Sequence, residues 1–193
     1  MNQPSRRIWL KTTPLWLAGL VSPAWVLAAG ADDDTTTRLR QGGVAVLLRH
    51  ARTEPGIGDP PGFQPGVCST QRQLSADGRD QSRALGAWFA ARRLKPAAVR
   101  SSAWCRCLDT AMLAFATVQP WPALDSFFGD SSTQAAQTQV LRKALAELRP
   151  GAFEVWVTHM VNISALTGEG AAMGEGLLVG ADARIHGRLN VAR

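Results

Sequence analysis

The apolar run Val44-Ala45-Val46-Leu47-Leu48 has no polar position, which predicts a short strand buried on both faces of a sheet. From Ala51 to Arg72 the pattern changes. Pro55, Gly56, Gly58, Pro60, Pro61, Gly62, Pro65 and Gly66 forbid regular structure and predict a loop longer than most connections in compact domains. Ser75 is placed to cap a helix running to about Leu94, with Leu85, Trp88 and Phe89 on one face and Pro96 ending it. Ala97 to Ser102 then predicts a second strand. Residues Arg106 to Ala116 predict a helix through the spacing of Leu108, Ala111, Met112 and Phe115.

Between Gln119 and Asp130 the pattern fits a short strand running into a loop, and Thr133 to Leu148 is an amphipathic helix stopped by Pro150-Gly151. Phe153 to Thr158 predicts a third strand, Asn162 to Thr167 the first turns of a helix, and Leu177 to Val179 with Ile185 to Val191 closing strands. Strands alternating with helices imply an α/β fold: one three-layer α/β/α domain around a mostly parallel central sheet. No internal repeat is present.

Composition adds a boundary to this picture. A chain of 193 residues, 46% hydrophobic and 19% charged, is long enough for one core and excludes disorder throughout. Residues 1–31 differ in kind. The basic start Ser5-Arg6-Arg7-Ile8-Trp9-Leu10-Lys11, the apolar stretch Leu15 to Ala29 and small-residue cleavage candidates at Val26-Leu27-Ala28 and Ala29-Gly30-Ala31 have the layout of an export signal. The arginine pair resembles a twin-arginine signal. Pro14 and Pro23 leave the run shorter than the ~20 apolar residues of a spanning helix, so cleavage is expected in place of a lasting membrane anchor, with a periplasmic or secreted product. Asp32 to Arg40 reads as a flexible join, and the domain is expected over 41–193.

Cleavage removes Arg6, Arg7 and Lys11 and no acid, so the net charge falls from +6 to +3. The remaining basic residues are scattered and do not alternate with aromatics, which excludes a nucleic-acid track. Oligomeric state is not legible. Three cysteines are present. In an oxidising compartment Cys68 can pair with Cys105 or Cys107; the bland alternative is buried free thiols, and a lone C-x-C is poor zinc spacing.

The candidate chemistry begins at the end of the first strand, where α/β sheets bind ligands. There Arg49 sets a rigid fork of donors suited to phosphate beside His50, an imidazole able to act as a nucleophile. Leu48-Arg49-His50-Ala51 resembles the Arg-His signature of the histidine phosphatase superfamily, which includes phosphoglycerate mutases and acid phosphatases. Three segments match it in order: Leu74-Ser75-x-x-Gly78-x-x-Gln81, Ser101-Ser102-x-x-x-Arg106-Cys107-x-x-Thr110-Ala111, and Thr158-His159. Cys68 to Arg72 and His159 to Gly168 further resemble a small exported branch related to lipopolysaccharide core heptose phosphatases.

The resemblance implies a phosphoglycerate mutase-like fold and a phosphomonoesterase working through a phosphohistidine, on a phosphosugar or a lipopolysaccharide core phosphate. His50 is then the nucleophile, its tautomer fixed by a backbone carbonyl of the following loop. Arg49 and Arg106 clamp the phosphoryl oxygens, and His159 adds a third donor as charge builds. The scheme requires no cofactor and no metal. The proton donor is the least defined role: Asp125, Asp130, Glu54 and Glu175 are candidates, with Glu175 preferred because Gly174-Glu175 falls where the branch carries such a pair. Arg52 and Arg72 are candidates to lengthen the anionic pocket, with a solvent-facing role as the alternative. His186 matches no motif and reads as structural, and a zinc site from His50, His159 and His186 is disfavoured by the two arginines beside it. The competing functions are a phosphate-binding protein without turnover on the same fold, and a phosphomutase, against which the missing long insertion and the export signal argue.

Overall fold

The computed structural model describes residues 34–191. The expected export signal lies outside them. No helix among the described residues is long and apolar enough to cross a membrane.

The segment expected to be a flexible join instead carries the first helix, α1 (Asp34–Gln41), so ordered structure begins ahead of Gln41. Three threonines give α1 little intrinsic helix propensity. What holds it is tertiary: Thr36 and Leu39 are fully buried, and Leu39 joins the core beneath the sheet. Asp34 in its first turn and Arg38 and Arg40 in its last complement the helix dipole.

Strand β1 (Val44–Arg49) follows, and then, past the long loop, α2 (Ala76–Ala91), β2 (Ala98–Ser101), α3 (Cys105–Phe115) and the two-residue β3 (Gln119–Pro120). The chain continues through α4 (Gln134–Ala146), β4 (Phe153–Thr158), α5 (Met160–Thr167), β5 (Gly176–Gly180) and β6 (Ile185–Leu189). The six strands form one sheet in the order β3-β2-β4-β1-β5-β6. β3, β2, β4 and β1 run parallel, and β5 pairs antiparallel with β1 and with β6. This is the mostly parallel α/β architecture the alternation of elements predicts.

Alternate side chains of the central strands supply two cores. Val44, Val46, Leu48, Val155 and Val157 meet Leu85 and Phe89 of α2 and Ala111 of α3 on one face. Ala45, Leu47 and Trp156 meet Leu141 and Leu145 of α4 and Ile163 and Leu166 of α5 on the other. Helices on both faces explain why β1 contains no polar position before Arg49.

The long loop is ordered by covalent and polar ties to α3. Cys68 is disulfide-bonded to Cys105 at the first position of that helix, which settles the two sequence-level pairings, and Cys107 is a buried free thiol. The Cys105 N–H donates to Gln71 Oε1 at 3.0 Å, a side-chain cap on a helix whose N-cap residue, Trp104, supplies none.

Closing a 37-residue separation restricts the unfolded chain by about 4 kcal/mol on the loop-entropy estimate. Reduction, or Cys68→Ser, is therefore expected to lower unfolding free energy by about 2–4 kcal/mol in denaturant titrations. Thiol labelling of the unreduced native protein is expected to stay near zero until unfolding exposes Cys107, because burial pushes that thiol up to about 12.

Candidate active site

The register of β1 against β4 builds the site. Leu48 pairs with Val157 and Arg49 with Thr158, so the next residue of each strand, His50 and His159, leaves the sheet side by side. The His50 N–H donates to Thr158 O at 3.0 Å and extends the ladder, and the two imidazole rings stand 5.5 Å apart, edge to face. β2 ends on β4 with Ser101 opposite Val157, which brings Ser102 Oγ to 2.9 Å from His159 Nε2.

The segments that resemble the superfamily prove to be the scaffold of this corner. Ser75 Oγ accepts from the Gly78 N–H at 3.1 Å and caps α2. Gly78 must be glycine: a Cβ there would stand 1.8 Å from the carbonyl oxygen of Arg52. Gln81 Oε1 accepts from the Arg52 N–H at 3.1 Å while its Nε2 donates to Met173 O at 2.9 Å, bracing both sides of the pocket. The Ala51 N–H donates to Thr110 Oγ1 at 3.0 Å, and that hydroxyl donates to Arg106 O at 2.6 Å, fixing the loop after His50 to the helix that carries Arg106.

His50 is 3% exposed, and its Nδ1 lies 2.9 Å from Ala51 O. A carbonyl only accepts, so Nδ1 carries the proton and Nε2 keeps its lone pair. Burial lowers the pKa of His50 to about 3; the Ala51 carbonyl opposes this, and Arg106, Arg49 and Arg72 reinforce it. The imidazole is neutral at ordinary pH, with the unshared pair on Nε2.

His159 is also buried and held well below its usual pKa, by desolvation first and then by Arg106 and His50. Its Nδ1 is 3.5 Å from Nη2 of Arg106, which can only donate. Nε2 therefore bears the hydrogen and donates to Ser102 Oγ. The neutral ring is an acceptor toward Arg106, and the donor role expected of it requires protonation at Nδ1.

His50, His159, Arg49, Arg106 and Arg72 line one cavity of about 520 Å³, within the range of small-molecule sites. Arg49 donates to Ala171 O at 2.8 Å and Arg72 to Gly56 O at 2.7 Å, and the Nε atoms of Arg49, Arg72 and Arg106 are buried with no hydrogen-bond partner. Burial and mutual repulsion lower the pKa values of Arg49 and Arg72. Three crowded guanidiniums with unmet donors constitute a site for an anion.

The carboxylate on this cavity, among the described residues, is Asp59, which no sequence motif marks. It lies in the long loop directly after Gly58, whose φ of +68° favours glycine. Arg106 Nη1 donates to Oδ1 at 2.6 Å and Nη2 to Oδ2 at 3.2 Å, the Arg72 N–H to Oδ1 at 3.0 Å, and Trp104 Nε1 to Oδ2 at 2.9 Å. The Arg106 and Asp59 side chains are 4% and 6% exposed. Desolvation raises the Asp59 pKa, but the bonds from Arg106, Arg72 and Trp104 outweigh it and hold the group ionised.

The sequence candidates for proton donor stand elsewhere. Glu175 accepts from the Ala172 N–H at 2.7 Å and from Arg188 at 3.1 Å, bracing the turn before β5, and does not line the cavity. Asp125 accepts from the Ala103 N–H at 2.7 Å and bonds the Ser102 hydroxyl, behind His159. Asp130 caps a short turn through the Ser132 N–H, and Glu54 is exposed outside the cavity. Arg52 contributes its backbone to the scaffold while its side chain is exposed; Arg72 is the residue that lengthens the pocket. His186 pairs with Asp182 at 3.1 Å on the β6 side.

A model of the histidine phosphatase superfamily (branch 1) matches residues 45–169. No curated protein sequence matches the chain. Among solved structures, a putative phosphohistidine phosphatase SixA from Agrobacterium tumefaciens is similar at 20% identity with a TM-score of 0.53, covering 76% of this chain and 97% of that one. A phosphoglycerate mutase from Thermus thermophilus is similar at 20% identity with a TM-score of 0.54, covering 77% and 99%. The likeness to both is one of fold.

Both histidines are neutral when folded and take up a proton near pH 6.5 when unfolded. Below pH 6.5 the unfolded chain binds more protons, so stability is expected to fall as pH drops toward about 3, by up to roughly 1.4 kcal/mol per pH unit per histidine. Denaturant midpoints at pH 7 and pH 5 check this, and His50→Gln is expected to reduce the pH dependence.

Proposed function

This chain belongs to branch 1 of the histidine phosphatase superfamily, and on that premise we propose that it is an exported phosphomonoesterase acting through a phosphohistidine at His50. The observation that carries the reading is the His50 tautomer: the Ala51 carbonyl accepts from Nδ1–H and so leaves the Nε2 lone pair beside three guanidiniums.

The phosphoryl oxygens displace Asp59 from the Arg106 fork and take up the free donors of Arg49 and Arg72. Nε2 of His50 attacks phosphorus in line as the ester P–O bond breaks, and the electron pair leaves on the alcohol oxygen. Asp59 protonates that oxygen. The incoming dianion occupies the Arg106 donors that had held the carboxyl ionised, so the carboxyl takes up a proton from solvent as the substrate binds and gives that proton to the leaving oxygen. In the second half-reaction Asp59 takes a proton from water, water oxygen bonds to phosphorus, the N–P bond breaks, and phosphate leaves with His50 neutral again. His159 donates a hydrogen bond to the phosphoryl oxygens once the dianion raises its proton affinity and Nδ1 takes up a proton from solvent. The steps require only the phosphoryl group: they hold for the phosphosugar or lipopolysaccharide core phosphate that the sequence resemblance implies and for any other phosphomonoester, so the choice of alcohol rests on the walls above the arginines.

Export is supported by the Cys68–Cys105 disulfide, which persists in oxidising compartments, together with the basic and apolar amino-terminal segment.

His50→Ala is expected to reduce p-nitrophenyl phosphate hydrolysis to background while calorimetry still detects inorganic phosphate binding. Phosphate binding by wild type without turnover of any ester would identify a binding protein. Asp59→Asn is expected to lower kcat/KM for an alkyl phosphate by about 10²–10⁴-fold and for p-nitrophenyl phosphate, whose leaving group needs no proton, by far less. Equal losses on both substrates would remove Asp59 from the donor role.

A further inference from the structure

The cavity has two chemically distinct zones. Its floor is the cationic and imidazole cluster. Its mouth is a collar of Ile57, Phe63, Trp104, Phe128, Met160 and Met173, contributed by the long loop, the start of α3, the loop after β3, the start of α5 and the segment before β5. Ile57 is 89% exposed and Phe128 60% exposed, and they come from loops that touch: a Cβ at Gly58 would lie 3.2 Å from the Phe128 ring. Phe63 and His159 flank the Trp104 ring at centroid distances of 6.0 and 5.6 Å, so the apolar rim runs continuously down to the imidazole pair.

Resting on the phosphomonoesterase reading, we infer that the substrate is the phosphomonoester of an apolar alcohol, with its phosphoryl group on the arginine floor and its hydrocarbon body in this collar. Large hydrophobic side chains left in water at the rim of a pocket gain most from covering apolar surface. The two methionines add flexible, polarisable contacts that adapt to a chain or ring. A polyol places the opposite demand on the same wall. Each hydroxyl it buries needs a partner, and outside the charged and imidazole groups of the floor the neutral polar side chains lining the cavity, among the described residues, are Ser126 and Trp104, whose indole N–H is engaged by Asp59. A collar of this composition desolvates sugar hydroxyls without replacing their bonds.

The test is a homologous series of n-alkyl phosphates, ethyl to octyl, measured against hexose phosphates with p-nitrophenyl phosphate as the reference. Each methylene entering the collar is expected to raise kcat/KM about two- to fourfold, and octyl phosphate is expected to exceed every hexose phosphate. In Ile57→Ser/Phe128→Ser, changes at exposed positions that leave the cores intact, the octyl-to-ethyl ratio is expected to fall at least about tenfold. Binding of n-alkyl phosphonates by calorimetry reads the collar without chemistry. Affinity rising with chain length supports it even where no ester is turned over, which would instead defeat the phosphatase reading. Chain-length-independent kcat/KM and phosphonate affinity, or hexose phosphates preferred over octyl phosphate, would overturn the inference.

Discussion

The parallel pairing of β1 with β4 is the constraint on which the rest of the structure depends. Because Arg49 stands opposite Thr158, two chain segments more than a hundred residues apart place His50 and His159 at one point on one sheet edge. A slip of one residue would turn each side chain to the opposite face. Fit to the two cores enforces the register: Val44, Val46 and Leu48 fill one and Ala45 and Leu47 the other, so a slip would put side chains of the wrong volume into both. The register, together with the Ala51 and Ser102 hydrogen bonds, fixes the tautomers of both rings before a substrate arrives.

Around this corner the protein concentrates positive charge and keeps both imidazoles neutral, with burial as the leading cause for each histidine and the arginines adding to it. Arg106 is the hinge of the electrostatics, since it faces His159 and carries the Asp59 carboxylate on its fork. In the proposed reaction the phosphoryl group takes the place of this carboxylate on the Arg106 fork, which puts a titratable oxygen beside it. The long loop that delivers Asp59 owes its order to Cys68–Cys105 and to Gln71, so the disulfide serves the site as well as the fold.

Much of this was legible in the sequence because strong local patterns coincide with the sheet. The unbroken apolar run of β1, the Ser75 cap and the Arg-His, Gly-x-x-Gln and Arg-x-x-x-Thr spacings each correspond to a contact at the site. Helix α1 was not legible, because its threonines favour other conformations and only tertiary burial of Thr36 and Leu39 selects it. Asp59 was hidden for a different reason: it lies in an aperiodic Gly/Pro-rich loop, and its role appears only through Arg106, 47 residues onward. The signal that points to it is the placement of that loop directly after the nucleophile, with a cysteine able to tie it to the Arg106 helix. The preference for Glu175 rests on the resemblance of Gly174-Glu175 to a pair in the exported branch, and a matching residue type does not fix where the side chain points; its carboxylate turns toward Arg188.

The central claim is that Nε2 of neutral His50, whose Nδ1–H donates to Ala51 O, is the atom that accepts the phosphoryl group. Rapid quench of the enzyme with a ³²P-labelled phosphomonoester, followed by peptide mapping, tests it most directly. The account predicts acid-labile, alkali-stable label on the peptide containing His50, forming and decaying at rates that support turnover. Turnover with label on another residue, or with no phosphoenzyme on the turnover timescale while product forms in a first-turnover burst, would contradict it.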